Sequence, residues 1–222
     1  MTDKNDKNII KKARAHIVYK LEDGTRVPGV TTILGVLAKP LLYKWHNTMG
    51  LEGIDTAKYA DASAEAGRAA HAMIQCHLIG EEFDGSEYSA DMLSLAENAY
   101  LKYLEWERPQ KIEEVMSELP MVSEIHRFGG TIDLYCKLNG VPTLIDFKTS
   151  SSGVWPEMKH QAAGGYRLLL EEHGFTVEKI LIIRTGRSEN MDFDVHEVGD
   201  WPIHTDIFLK CRALYDLQKR IR

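Results

Sequence analysis

Cysteine is scarce in this chain of 222 residues: its three copies, Cys76, Cys136 and Cys211, lie far apart and form no CxxC pair. This spacing argues against a zinc cage or an iron–sulfur cluster, so we expect free, buried thiols in a reducing compartment. Long apolar runs are absent too, which predicts that no segment spans a membrane. The N-terminus has no apolar stretch of the signal-peptide kind, so we expect no secretory signal and a cytoplasmic location.

The sequence also lacks the basic excess that nucleic-acid-binding proteins usually have, since its formal net charge is −6. Positive charge is nevertheless concentrated at both ends. Residues 1–20 contain six basic and two acidic residues, and residues 203–222 contain five basic and two acidic ones. Either end could contact phosphates, or both could be solvated surface.

The apolar pattern that is present predicts a mixed α/β protein, with helices first and then a mixed sheet flanked by helices, in one domain over residues 1–222. We expect residues 1–110 to be mainly helical with a leading hairpin, residues 111–200 to form the sheet core, and residues 201–222 to form a C-terminal helix. Strands are predicted at about 112–118, 130–138 and 141–149, and again over VEKILIIRT (177–185) and MDFDVHEV (191–198). The boundaries rest on turn, cap and breaker residues: Asp23-Gly24, Pro40, Gly50, Asp55, Gly80, Pro109 and Gly174.

The strands TIDLYCKL and VPTLIDFKT are separated only by Asn139-Gly140. Asn-Gly favours a two-residue type I′ loop, which fixes the register of the hairpin. Leu138 then faces Val141, and counting back along both strands places Asp133 directly opposite Asp146. We expect this pair to be of the closer, non-hydrogen-bonded kind.

The same register assigns the side chains of the two strands to two faces. One face is predicted to be apolar core, formed by Ile132, Leu134, Cys136, Leu138, Val141, Ile145 and Phe147. The other face carries Asp133, Asp146 and Lys148, with Thr131 opposite Lys148. Pro142 cannot donate a backbone hydrogen bond, and it predicts that the far side of its strand is a sheet edge.

Two carboxylates directly opposed on a sheet repel each other. Either one of Asp133 and Asp146 is protonated, or solvent screens both, or a cation lies between them. Mg²⁺ typically binds one or two carboxylates together with phosphate oxygens, and a lysine beside it can orient water or stabilise phosphate charge. The hairpin therefore indicates either a metal-dependent phosphodiester hydrolysis site or a solvated face with a weak Lys–Asp pair.

These residues resemble the PD-(D/E)XK nuclease superfamily, and most of all its RecB-type and phage-encoded exonuclease branch. Asp133 in GGTIDL matches the lone acidic residue, and IDFKT supplies Asp146 and Lys148 for the D-x-K element. The resemblance runs from about residue 16 to about residue 184. The four clustered cysteines of the iron–sulfur members are absent, so no cluster is expected.

Three further elements of that branch have matches in this chain. EAGRAAHAMI supplies Gly67 and the helical His71, and SELPMVSE supplies Glu118, with Glu124 as second choice. HQAAGGYR supplies Gln161 and Tyr166, but five residues apart where the family has four, a rotation of about 140° on an α-helix. Either Tyr166 points away from the site, or Gly164-Gly165 distorts the helix. His160, beside Gln161, is expected to be exposed.

The resemblance implies a restriction-endonuclease-like core with an N-terminal helical part, and one or two Mg²⁺ or Mn²⁺ ions. The implied metal ligands are Asp133, Asp146, the Phe147 carbonyl, His71 and Glu118. The implied catalytic residues are Asp133, Asp146, Glu118, Gln161 and Lys148, the last of which would place the attacking water. The implied substrate contacts are Lys148, Thr149, Gln161 and Tyr166.

The function implied is a metal-dependent DNA exonuclease of a phage recombination or repair type, acting in the host cytoplasm. It would contact the DNA backbone of single or double strands, with a recombination protein or further copies of itself as other partners. Two alternatives stay open. One is a structure-specific or nicking endonuclease of the same fold, and the other is a nucleic-acid-binding or assembly module that has lost the chemistry.

Overall fold

The computed structural model describes residues 17–150, 153–186 and 193–221. Helices lead the chain and a five-stranded mixed sheet flanked by helices follows, which confirms the predicted α/β class. No helix in these three ranges has the length and hydropathy that a membrane crossing requires. Most of the basic residues of the N-terminal segment 1–20, and the first two residues of the predicted strand 191–198, lie outside the described ranges.

Over residues 17–110, the described N-terminal part consists of one small hairpin and four helices. The hairpin pairs β1 (Tyr19–Lys20) with β2 (Arg26–Val27). The helices are α1 (Val30–Leu34), α2 (Pro40–Leu51), α3 (Thr56–Ile79) and α4 (Ala90–Glu107). The predicted caps of α3 are confirmed, because the Asp55 side chain accepts hydrogen bonds from two backbone N–H groups of the first turn and Gly80 takes the left-handed conformation.

The sheet follows in the order β3-β4-β5-β6-β7, and all neighbours are antiparallel except β5 and β6. Its strands are β3 (Ile112–Ser123), β4 (Phe128–Leu138), β5 (Val141–Lys148), β6 (Lys179–Thr185) and β7 (Phe193–Glu197). The crossover from β5 to β6 contains α5 (Pro156–Lys159), a π-helix (His160–Tyr166) and α6 (Arg167–Glu172). The chain closes with α7 (Trp201–Arg220).

The prediction that Pro142 marks a sheet edge is wrong, because β5 is the central strand. Its parallel pairing with β6 begins one residue later, at Thr143. The Pro142 carbonyl accepts a hydrogen bond of 2.9 Å from the Glu178 N–H, just before β6 starts. Pro142 therefore lies at the end of a ladder rather than at an edge.

Apolar cores cover both faces of the sheet. Ile74 of α3 and Tyr103 of α4 pack against one face with Leu134. The crossover helices and α7 pack against the other face, where Ile132 is buried. The predicted sorting of side chains is thus wrong at Ile132, because the strand changes face between Ile132 and Leu134. The three cysteines are free and buried, as predicted.

Candidate active site

The β4–β5 hairpin is closed at its loop and open at its far end. The predicted register is confirmed from the Leu138–Val141 pair to the Leu134–Ile145 pair, where the ladder ends. The prediction that Asp133 pairs directly with Asp146 across the hairpin is therefore wrong. The Asp133 carboxylate instead accepts a 2.8 Å hydrogen bond from the Phe147 N–H, which the next rung of the ladder would have used.

Beyond the point where β5 separates from β4, the N-terminal part of the chain contacts β4 instead. The Gly129 N–H donates to the Pro28 carbonyl at 3.0 Å, and Gly29 forms a bridge to Gly129. The Tyr19 hydroxyl lies 2.9 Å from the Thr131 hydroxyl. These contacts hold the start of β4 while β5 diverges from it.

Close packing explains why the first two residues of GGTIDL are glycines. A Cβ atom on Gly129 would lie 2.2 Å from the Tyr19 ring, and one on Gly130 would lie 2.8 Å from the Tyr166 ring. Since successive residues of a strand face opposite sides, one tyrosine covers each face of β4. No side chain larger than hydrogen fits at either position without displacing a ring.

A pocket of about 380 Å³ opens beside the divergence, between the sheet and α3. Gly67 allows α3 to approach the end of β5, because a Cβ there would lie 2.7 Å from the Thr149 hydroxyl oxygen. The pocket is lined by Ser63, Ala64, Gly67, Arg68, His71, Glu118, Asp133, Phe147, Lys148 and Thr149.

Three of the predicted metal ligands meet in this pocket. The ligand atoms of His71, Glu118 and Asp133 all lie within 4.8 Å of one another, a grouping found once among the residues that the structure describes. His71 Nδ1 is 3.8 Å from Asp133 Oδ1. Glu118 has a φ of +51°, a strained conformation for a residue with a side chain, in the part of β3 that runs beside Asp133.

The pKa values in the pocket show how unfavourable its charges are without a counter-ion. Burial, helped by the positive charge of Lys148, lowers the pKa of His71 to about 4, which keeps the imidazole neutral and able to bind a cation. Burial, helped by the charge of Asp133, raises the pKa of Glu118 to about 8. Burial also raises the pKa of Asp133. A divalent cation would favour the ionised form of both carboxylates.

Asp146 and Lys148 form an ion pair at the end of β5, and Lys148 also lines the pocket. Asp146 is fully buried, and burial raises its pKa to about 6 against the attraction of Lys148. The Oδ1 atom of Asp146 has no hydrogen-bond donor among the described residues. A buried carboxylate oxygen without a donor, next to a His/Glu/Asp cluster, fits a divalent cation at the divergence.

The π-helix explains the five-residue spacing of Gln161 and Tyr166. A π-helix aligns residues five apart, and Gln161 Nε2 donates to the Tyr166 hydroxyl at 2.7 Å. Gly164 and Gly165 allow close packing there, because Cβ atoms on them would lie 2.6 Å from the His204 carbonyl and from Val30. The helix is therefore distorted, as the second alternative held, and Tyr166 lies on the same side of it as Gln161.

The Tyr166 hydroxyl is buried and is affected by the negative charges of both aspartates. Its pKa is raised well above the usual value by burial, with the negative charges of Asp146 and Asp133 adding to the shift. The hydroxyl therefore stays protonated and can donate a hydrogen bond.

The second-choice glutamate lies outside the pocket, and the expected exposure of His160 is wrong. Glu124 does not enter the pocket, because its carboxylate accepts a 2.8 Å hydrogen bond from the Glu22 N–H. His160 is buried rather than exposed, with its Nδ1 at 2.9 Å from Nδ1 of His204. The α7 helix covers this part of the π-helix, a tertiary contact that the local sequence does not encode.

Two residues were missed by the sequence reasoning, Arg68 in the pocket lining and Tyr19 outside it. Arg68 lies one helical turn before His71, and the three-residue spacing alone could have placed it on the same side of α3. Tyr19 lies 112 positions before its partner Thr131, and no local signal connects them.

Comparisons with known proteins give weak similarities. No protein-family profile and no curated protein matches this chain. The crystal structure of SSO0001 aligns over 68% of this chain and 74% of its own, with 16% identity and a TM-score of 0.36. The alkaline exonuclease LHK-Exo from Laribacter hongkongensis aligns over 72% and 90%, with 18% identity and a TM-score of 0.31. Similarities this weak carry no functional argument, so the function is argued from the site.

Proposed function

We propose that this protein is a metal-dependent DNA exonuclease that hydrolyses phosphodiester bonds at the open end of the β4–β5 hairpin. One observation carries the proposal. Carboxylates from β3, β4 and β5, an imidazole from α3 and a lysine from β5 converge where the two strands separate. A structural hairpin face gains nothing from burying such a set of charges.

The cation would be held by His71, Glu118, Asp133 and Asp146, with the Phe147 carbonyl as a further ligand. A bound divalent ion of this kind supplies a Lewis acid for the phosphate and lowers the pKa of water. His71 is suited to a ligand role because its pKa of about 4 leaves the ring nitrogens neutral at physiological pH.

The remaining residues would act on the substrate. Lys148, held by Asp146, would place the attacking water and offset the charge of the scissile phosphate. Gln161 and Tyr166 form a hydrogen-bonded pair on the crossover side and would steer the phosphate or Lys148. Thr149 lines the pocket beside α3 and would contact the same strand of DNA.

DNA fits the pocket as a substrate through its backbone. Phosphate contacts give affinity without reading sequence, and Arg68, which is paired with Glu65, adds a second basic side chain to Lys148 in the pocket lining. The net charge of −6 is compatible with DNA binding, because the cation and these two side chains would offset the negative charge of the carboxylates in the pocket.

The test is digestion of end-labelled linear single- and double-stranded DNA beside covalently closed circular DNA. The reactions contain Mg²⁺, Mn²⁺ or EDTA, with the wild-type protein and its Lys148→Ala variant. The expected result is metal-dependent loss of linear DNA only, abolished by EDTA and by the substitution.

Other outcomes separate the alternatives. Cutting of closed circles would replace the exonuclease by a structure-specific or nicking endonuclease. Retained DNA binding without cleavage under either metal would contradict the catalytic proposal and leave a binding or assembly module.

A further inference from the structure

The closing helix α7 has two apolar sides. One side packs within the chain, where Phe208 and Cys211 are buried in the core that α7 shares with the π-helix. The other side faces solvent, although it carries Ile203, Leu214 and Leu217, whose exposed fractions are 60%, 43% and 56%. A surface helix ordinarily presents polar residues on the side away from its core. The second apolar side of α7 is therefore a surface that a partner would bury.

This second side has the spacing of a coiled-coil seam. Steps of four and three residues alternate along it without interruption, and we call the six residues at these steps the α7 seam: Ile203, Ile207, Lys210, Leu214, Leu217 and Ile221. Helices with this alternation pair with another helix along the seam. Ile207 lies at the inner edge of the seam, since it also packs against the core, and the other five residues are exposed. The occupant that fits the α7 seam is therefore a helix.

The charged residue in the seam favours an antiparallel partner when that partner is a second copy of the chain. In a parallel pair each seam residue would meet its own copy, so two Lys210 side chains would face each other. Like charges placed together in an interface are destabilising. In an antiparallel pair, Lys210 instead faces Leu214 of the second copy, and Ile203 faces Ile221.

The charges beside the seam are complementary in the same antiparallel arrangement. Asp206 and Arg220 are both exposed and lie on the same flank of the seam. In the antiparallel pair, Asp206 of each copy lies beside Arg220 of the other, and two-fold symmetry forms this contact twice. Ala213 is exposed between them and falls beside its own copy at the symmetry axis, where a small side chain lets the helices approach closely.

We propose that the α7 seam is the interface through which two copies of this chain pair, with their α7 helices antiparallel. The surface complements itself, because apolar residues meet apolar residues and Asp206 meets Arg220. Such a self-complementary surface is what a two-fold dimer requires. The inference does not rest on the proposed nuclease function, since none of the seam residues lines the candidate active site.

The first test is sedimentation of the full chain over a range of concentrations. The wild type should form a dimer of twice the mass of one chain. Leu217→Glu should weaken that dimer about 100-fold or more, because it places an unpaired charge in the interface from each copy. Leu101→Glu is the matched control, since Leu101 is exposed to a similar extent, 55%, on α4, and should leave the dimer intact. Circular dichroism establishes that each variant is folded.

A charge exchange tests the orientation of the helices. Asp206→Arg alone should weaken the dimer about 10-fold, because it places like charges together at both symmetry-related contacts. Adding Arg220→Asp to the same chain should restore most of the wild-type affinity, since the antiparallel pair then has the same two contacts with their charges exchanged. Failure of the second substitution to restore the dimer would overturn the antiparallel arrangement.

Other outcomes would overturn the interface itself. One is a wild-type chain that stays monomeric up to about 100 μM, and another is a dimer that folded Leu217→Glu leaves unchanged. A monomeric chain in which Leu217→Glu weakens binding of labelled DNA, measured by fluorescence anisotropy, would assign the seam to DNA instead. Each of these results leaves the proposed function to be decided by the cleavage experiment alone.

Discussion

The two ends of the β4–β5 hairpin are built in different ways. At the loop end, Asn139-Gly140 sets a register that both strands follow as far as Leu134 and Ile145. At the far end, the strands separate, and Asp133 uses its side chain to hold the Phe147 N–H. Local turn chemistry determines the closed end, whereas distant parts of the chain determine the open one.

The comparison teaches where a sheet can hold charged groups. A closed ladder would force the two aspartates into direct opposition, which is destabilising. Separation of the strands gives each carboxylate its own partner, the Phe147 N–H for Asp133 and Lys148 for Asp146. The pocket thus arises from a break in regular pairing that Pro28 and Tyr19 stabilise from the N-terminal side.

The largest expected difference between the two ends is in catalysis. Lys148→Ala should lower the rate of DNA cleavage about 10²- to 10³-fold, because it removes the charge and donor nearest the proposed reaction. Lys137→Ala, on the same hairpin but paired with Glu114 at an exposed site, should leave the rate within about twofold. Single-turnover rates at saturating metal measure both variants. Equal losses in the two would show that the open end has no special role.

A smaller difference is expected in stability. Gly129→Ala should cost about 2–3 kcal/mol of unfolding free energy, because its Cβ would lie 2.2 Å from the Tyr19 ring. Gly140→Ala, in the loop at a φ of +86°, should cost about 1 kcal/mol from backbone strain alone. Urea unfolding measures both. In a Tyr19→Ala background the cost of Gly129→Ala should fall, and an unchanged cost would refute the proposed packing conflict.

The smallest expected effect depends on pH. Glu118 has a pKa of about 8 in the folded protein, above its value of 4.5 as a free side chain, so the folded state binds the extra proton between these values. In the metal-free protein, the stabilisation that protonated Glu118 contributes is therefore fully present below about pH 4.5 and is lost as the pH rises through about 8.

Glu118→Gln, which cannot ionise, should therefore stabilise the metal-free protein at pH 9 by on the order of 1–2 kcal/mol and have little effect at pH 4.5. Thermal unfolding across this pH range gives the measurement, and Glu124→Gln is the control outside the pocket. A gain of the same size for both variants, or none at pH 9, would count against the buried charge of Glu118.

Much of the fold follows from local sequence. Asp55 and Gly80 bound α3 by capping, and Asn139-Gly140 gives the register of the hairpin. These signals act over a few residues, so a sequence alone contains them. The choice between Glu118 and Glu124 does not follow from local sequence, because both lie on or beside β3. Only the tertiary structure shows that Glu118 lines the pocket and that Glu124 bonds the Glu22 N–H instead.

The parts that sequence did not predict depend on tertiary contacts. Ile132 packs in the core on the crossover side, whereas alternation of apolar residues predicts that it shares the core of Leu134. His160 is buried by α7, and Tyr19 is brought to Thr131 from a distant hairpin. The spacing of Gln161 and Tyr166 did contain a signal, since five residues on one face is the mark of a π-helix.

The most direct test of the account is to locate the cation itself. Crystals of the protein grown with Mn²⁺, measured at the manganese absorption edge, give an anomalous difference map that shows where the ion lies. We predict a peak at the open end of the hairpin, among His71, Glu118, Asp133 and Asp146. Saturating Mn²⁺ with no peak in this pocket, or with its strongest peak elsewhere on the molecule, would contradict the claim that the divergence of β4 and β5 builds a metal-dependent site.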